Sequence, residues 1–283
     1  KFFRIKTKKG LEIPISGKPS TMVESGGTTV RTVAVTGPDF IGMKPTMHVK
    51  EGDTVQTGQK LFECKKNPGL IFTSPASGKV LSINRGAKRA FQTMQIQLGQ
   101  SSHVSFTHYK KKTPESYTRE EVKSLLVESG MWTVIRQRPF NTTPSLDSTP
   151  HSIFVSTMDT NPLSMDPKFV ISKRKEEFQE GLRVLATLPE HHLYLCNDNK
   201  SSLNLPDIKK VKVAEFSGIH PAGNVGTHIH FLEPTSLQKT VWHVGYQDLI
   251  AIGHLFLHEK LDVSRLIAFG GPRAKRPRIL KTQ

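Results

Sequence analysis

From residue 28 to residue 100 the apolar positions come in short bursts separated by Gly and Pro. Val30 to Val35, Thr46 to Val49, Leu70 to Thr73, Val80 to Ile83 and Met94 to Leu98 carry Val, Ile, Phe or Thr, and some alternate with polar residues. That is the pattern of half-buried strands. Residues 101–117 are polar, with a Lys110-Lys111-Lys112 run, and read as a linker. Thr118 then predicts a helix start: its hydroxyl caps the first turn, and Glu121 stands where a capping-box carboxylate belongs. Val122, Leu125 and Leu126 give the helix an apolar face, and Gly130 is its expected C-cap. Residues 138–150 are rich in Pro, Thr and Ser and read as loop.

Beyond residue 150 the period changes. Ile153-Phe154-Val155, Leu193-Tyr194-Leu195 and Val211 to Val213 read as strands, and Thr227 to Leu232 as an alternating strand. Phe178, Leu182 and Leu185 fall at helical spacing, as do Tyr246, Leu249, Ile250, Gly253 and Leu257. Leu266 to Phe269 reads as a last strand before Gly270-Gly271-Pro272. Strands alternating with helices predict an α/β module after the β-rich one. The expected organisation is a basic N-terminal segment (1–27) ending Ser25-Gly26-Gly27, a β-rich module (28–100), a linker with one helix (101–150), an α/β module (151–272) and a basic tail (273–283). The tail stops without closure, which predicts a further region beyond it. The first residue is not Met, which predicts a processed or trimmed start.

The apolar fraction of 36% in 283 residues is enough for a sizeable core. The longest nearly apolar stretch, Leu249 to Leu257, is interrupted by Gly253 and His254, too short for a membrane span of about 20 residues. No apolar signal segment follows Lys1-Phe2-Phe3. Two cysteines, Cys64 and Cys196, make neither a disulfide framework nor a Cys-based metal site and suit a reducing compartment. Forty Lys and Arg against 24 Asp and Glu leave +16, a charge that attracts nucleic acid, anionic headgroups or an acidic protein. Aromatics are only 7% of the chain, so stacking platforms for nucleic-acid bases are scarce and no nucleic-acid partner is expected.

The run Val49-Lys50-Glu51-Gly52-Asp53, with Gly58 and the later Pro75-Ala76-Ser77-Gly78-Lys79-Val80, resembles the biotinyl/lipoyl-like barrel-sandwich family. The glycines make its tight turns, and Val49, Val55, Leu61 and Val80 supply its core. A carrier domain would present one modified lysine between suitable flanks. Lys65 and Lys66 before Asn67-Pro68-Gly69 lack those flanks and read as a solvated pair. In the α/β module, Ser156 to Pro162 contains no glycine, so the dinucleotide fingerprint is absent, and no phosphate-loop lysine motif occurs. The Gly-rich stretch with Gly218, His220, Pro221, Gly223, Gly226, His228 and His230 is either an anion-cradling, close-approach loop or a rigid turn into a strand. On a strand His228 and His230 would share a face, but with His220 and His243 they lack a carboxylate or Cys at matching spacing, and no metal site is expected. Trp132, Arg136 and Arg138 are candidates for an anion or partner contact, against the plainer reading of an ordinary surface or inter-module salt bridge. No catalytic triad or carboxylate pair is legible.

Several longer runs resemble one family: the A-type subunits of the bacterial Na+-translocating NADH:quinone oxidoreductase. They include Lys8 to Gly17, Gly42 to Pro45, Lys65 to Gly69, Ile83 to Arg89, Arg138-Pro139-Phe140, Met158 to Pro162, His220 to Gly223, Val225 to Phe231 and Val241 to Asp248. The resemblance runs from the first residues to about Gly271-Pro272. It implies a peripheral subunit on the cytoplasmic face of the bacterial inner membrane, partnered by five others, above all the membrane-embedded quinone-reducing one. The complex uses FAD, FMN, riboflavin, an iron–sulfur centre, NADH and ubiquinone, and pumps Na+. None of these cofactors is expected in this chain. The implied fold is a barrel-sandwich followed by a Rossmann-like α/β module resembling the flavin subunit of respiratory complexes. Where that subunit has a Gly-rich flavin loop, this chain has Met131 to Phe140, with Trp132, Arg136 and Arg138 expected to block a flavin phosphate. The implied role is assembly, with the Gly218 to His230 loop facing quinone or a partner. The alternatives are a basic nucleic-acid-binding protein and a flavin- or NAD-binding electron-transfer subunit.

Overall fold

The computed structural model describes residues 3–25, 29–198 and 203–282; Gly26 and Gly27 of the Gly-rich run lie outside them. Two short strands come first, β1 (Phe3–Lys6) and β2 (Val23–Ser25), and their partners lie far along the chain. Seven strands then build the barrel-sandwich: β3 (Thr32–Thr36), β4 (Pro45–Met47), β5 (Thr54–Val55), β6 (Lys60–Cys64), β7 (Ile71–Thr73), β8 (Gly78–Arg85) and β9 (Phe91–Leu98). One sheet has the order β3-β9-β8-β5 and the other β4-β6-β7. Val55, Leu61 and Val80 are buried between them, while Val49 is half-buried against the same core. Phe62 stacks on Phe72 and meets Phe91 edge-on. Gly52 and Gly58 have φ of 93° and 86°, so both turns use backbone that other residues adopt at a cost. Lys65 and Lys66 are exposed at the β6–β7 turn.

Thr118 caps helix α1 (Arg119–Glu128) with the full reciprocal box: Glu121 N–H donates to the Thr118 hydroxyl, and Thr118 N–H to the Glu121 carboxylate. Gly130 follows at φ 80°, the left-handed residue just past the helix end. The chain continues through β10 (Arg136–Arg138), β11 (Ser152–Ser156), α2 (Pro167–Lys173), α3 (Lys175–Leu185), β12 (His192–Asp198), β13 (Val211–Ser217), α4 (Val225–Leu232), β14 (Val241–Val244), α5 (Tyr246–His258), β15 (Leu266–Phe269) and β16 (Arg278–Lys281). Six strands form one sheet of order β1-β13-β12-β11-β14-β10, parallel except for β10. Counted from β11, the central order is 3-2-1-4, so the strand order switches sides between β11 and β14 while both run parallel. Alternation along the strands feeds two cores. Ile153, Val155, Trp242 and Val244 join the larger one, which holds Phe178, Leu182 and Leu185 of α3 and Leu249 and Ile252 of α5. Phe154, Tyr194, Phe216 and Val241 join Ile229 of α4 on the other face.

Two expectations are corrected. Thr227 to Leu232 lies in a helix, not a strand. The deciding period is Val225, Ile229 and Leu232, which all pack on the sheet, while the alternation of Thr, His and Ile is incidental. The strand edge beside β13 is taken by β1, more than two hundred residues earlier. Leu266 to Phe269 is a strand, but it belongs to a separate sheet of order β15-β16-β2. Its central strand lies in the basic C-terminal stretch, where Arg278 pairs with Glu24.

The two modules share one continuous core. The Thr73 hydroxyl donates to the Ser129 carbonyl at 2.7 Å, and Asn67 Nδ2 to the Pro144 carbonyl at 3.1 Å. Among the described residues, no helix is long and apolar enough to cross a membrane.

Candidate functional site: a cleft at the strand ends

The C-terminal ends of β11, β12 and β13 open into a cleft of about 1200 Å³. In an open parallel sheet this end is where the strand-to-helix connections diverge and leave a crevice. Residues 158–167, residues 217–220 and an extended N-terminal strap, residues 11–21, form its walls. Leu11, Ile13 and Ile15 of the strap are 65%, 52% and 41% exposed, an apolar row facing water. The alternation Leu11-Glu12-Ile13-Pro14-Ile15 was the available sequence signal for this wall.

The strap is fixed by the Gly-rich stretch. Thr7 N–H donates to the Ser217 carbonyl and Leu11 N–H to the His220 carbonyl, both at 2.9 Å. Gly218, at φ 127°, comes so close to Thr7 that a Cβ would lie 2.1 Å from its hydroxyl oxygen. A Cβ on Gly223 would meet Thr160 N at 2.6 Å. Thr160 is the junction: its hydroxyl lies 3.1 Å from His220 Nδ1 and accepts from Gly223 N–H at 2.9 Å. Close backbone approach therefore explains Gly218 and Gly223. Gly226 has open space around its Cβ position.

Pro221 closes the turn by accepting from Asn224 N–H and from the Thr227 hydroxyl, both at 2.9 Å. The helix then separates the two histidines read as neighbours on one face. His228 is fully buried, its Nε2–H donating to the Ala222 carbonyl at 2.8 Å and its ring 4.3 Å from that of Phe216. Burial lowers its pKa to about 4, so the ring is neutral. His230 is exposed beside Phe231. The side chain of His228 is thus turned inward, away from the cleft, which His220 and Gly218 line.

Three of the four acidic groups that line the cleft are engaged. Asp159 Oδ1 accepts from both nitrogens of Asn161, Asp166 caps α2, and Asp198 pairs with Lys168 at 2.6 Å.

Trp132, Arg136 and Arg138 diverge. Trp132 is 1% exposed, its Nε1–H held by the Pro144 carbonyl and its ring edge-on to Trp242. Its side chain is enclosed within the protein rather than presented at the surface. Arg136 lies over the Phe40 ring and donates to the Asp39 carbonyl at 3.4 Å, so it ties the turn after α1 to the first module. That contact replaces the expected salt bridge. Arg138 Nε–H donates to His243 Nε2 at 3.2 Å. Burial, then the charges of Arg138 and Arg136, push the His243 pKa down to about 4. Arg136 and Phe40 thus cover the turn after α1 from the first module.

Comparison with known proteins agrees with this architecture. The family model described as the NqrA N-terminal barrel-sandwich hybrid domain matches residues 5–99, and that of the NqrA second alpha/beta domain matches residues 117–261. The A-type subunit of the Na(+)-translocating NADH-quinone reductase of Haemophilus influenzae (strain PittGG) is 47% identical over 279 residues, 98% of this chain and 62% of the relative. Its counterpart from Actinobacillus pleuropneumoniae serotype 5b (strain L20) is 48% identical over 282 residues, 99% of this chain and 63% of the relative. That of Histophilus somni (strain 2336) is 46% identical over 279 residues, with 99% and 62% covered. The chain spans less than two thirds of the length of these curated relatives. With both of its modules matched in order, the chain belongs to the NqrA family.

Proposed function

We propose that this chain works as the peripheral NqrA component of a Na+-translocating NADH:quinone reductase, redox-inert itself. The observation that carries this reading is near-half identity over 98% of the chain to relatives named as that component. The electron carriers of such an assembly, FAD, FMN, riboflavin and an iron–sulfur centre, then sit on other chains. Two features support a carrier-free component. The loop after β11 has no glycine to admit a pyrophosphate, and the turn after α1 is packed against the first module. The +16 charge suits an acidic partner protein or the anionic cytoplasmic leaflet.

Within that assembly the cleft is the part that faces ubiquinone or the membrane-embedded quinone-reducing subunit. Leu11, Ile13 and Ile15 suit an apolar occupant, and His220, Thr160 and the backbone of Gly218 fix the shape around it. Ile13→Ser with Ile15→Ser removes apolar surface without disturbing the core, since both residues are largely exposed. In the assembled complex, quinone reductase activity or recovery of the complex should fall several-fold. Unchanged activity and recovery would show that the cleft is not the contact.

A further inference from the structure

At the opposite end of the sheet from the cleft, His151, Glu190 and His191 bring one ligand-capable atom each to within 4.8 Å of one another. We propose that these three residues bind a divalent first-row transition ion, for which zinc is the test ion. The inference stands on this chain's own geometry and does not depend on the quinone reading.

The backbone sets the site in advance. His151 precedes β11 and His191 precedes β12, whose first residues are paired, so the two imidazoles stand side by side with ring centres 4.2 Å apart. His191 N–H donates to the His151 carbonyl at 3.1 Å, Glu190 N–H to the Pro150 carbonyl at 3.0 Å, and His151 N–H to the Thr240 carbonyl at 3.0 Å. Three separate hydrogen bonds therefore fix the Cα atoms that carry the ligands. Little backbone freedom remains to be lost on binding.

The second observation is the orientation of His151. Its Nε2 lies 2.8 Å from Glu233 Oε2, and this carboxylate is itself held by the Tyr194 hydroxyl at 3.0 Å and by Lys239 Nζ at 2.7 Å. With Nε2 turned to this carboxylate, Nδ1 is the ring nitrogen left to meet an ion. Metal-binding histidines are characteristically oriented in this way. Two imidazole nitrogens and one carboxylate oxygen form a set that suits zinc and its neighbours rather than calcium or magnesium. Glu190 and His191 are exposed, so the remaining coordination positions are open to water or to a partner side chain.

Glu177, His254 and His258 form a second group of the same composition. There Arg174 occupies the space: its Nε–H donates to Glu177 Oε1 at 2.9 Å, and its guanidinium lies 3.5 Å from His254 Nδ1. A permanent cation in that position repels a second one. This group is the internal control. The histidines singled out in the sequence, His220, His228, His230 and His243, do not assemble such a cluster among the described residues.

Zinc titrated calorimetrically into chelator-stripped full-length protein near neutral pH should show a saturable binding step. His191→Gln, at an exposed position, should weaken that step by at least about tenfold, as should Glu233→Gln through the orientation of His151. His258→Gln should leave it unchanged. Absence of zinc uptake, uptake indifferent to His191→Gln, or loss in His258→Gln would each overturn the proposal.

Discussion

His228 lies wholly inside the protein, with Nε2–H on the Ala222 carbonyl, while His230 two residues later faces solvent. The difference has a consequence for stability. The folded pKa of about 4 lies below the ordinary 6.5, so the unfolded chain binds the proton more readily. His243, also at about 4, acts in the same direction. Their contribution is fully present above about pH 6.5 and is lost as pH falls toward 4. Urea unfolding should therefore show a loss of about 2 kcal/mol per histidine between pH 7 and pH 5. His228→Leu should remove about half of that dependence, leaving the share of His243; an unchanged slope would place the ring elsewhere. The glycines divide in the same residue-specific way. Gly218→Ala forces a side chain onto Thr7 at positive φ and should cost about 2 kcal/mol or more. Gly226→Ala, in open helical space, should be neutral or stabilising by up to about 1 kcal/mol. Composition marked all three glycines of the loop alike, because spacing does not reveal which backbone atoms come near.

Helices α3 and α5 show why some packing was legible and some was not. Phe178, Leu182 and Leu185 are fully buried at the spacing that announced them. The closeness of the two helices was hidden, because it rests on residues with no side chain. A Cβ on Gly253 would lie 1.7 Å from the Glu177 carbonyl oxygen, and one on Gly181 2.3 Å from that of Leu249. Gly253→Ala should push the helices apart and cost about 3 kcal/mol, read from the chemical denaturation midpoint. A change below the noise of that measurement would mean that the crossing is looser than described. The capping box of α1 was readable because it lies within four consecutive residues; Thr118→Ala should cost about 1 kcal/mol. Pairings such as Arg4 beside Glu215 join distant parts of the chain, and no local pattern carries them.

At the scale of the whole molecule, a barrel-sandwich is packed onto a Rossmann-like sheet. Asn67, Thr73 and Arg136 hold the two together through backbone carbonyls. The two-module order was plain in the sequence. The cleft was only half visible: Gly218 and His220 stood out, whereas the strap from Leu11 to Ile15 is drawn to the strand ends by tertiary contacts alone. On this reading the fold serves an assembly whose redox chemistry lies on other chains. The direct test is to isolate the tagged full-length protein from detergent-solubilised bacterial membranes, identify the co-purifying chains by mass spectrometry and record flavin absorbance and NADH:quinone reductase activity. The expected result is a multi-subunit complex that carries both flavin and activity, and a separated NqrA component that carries no flavin. Recovery of the protein alone, with nucleic acid, or with stoichiometric flavin of its own would contradict it.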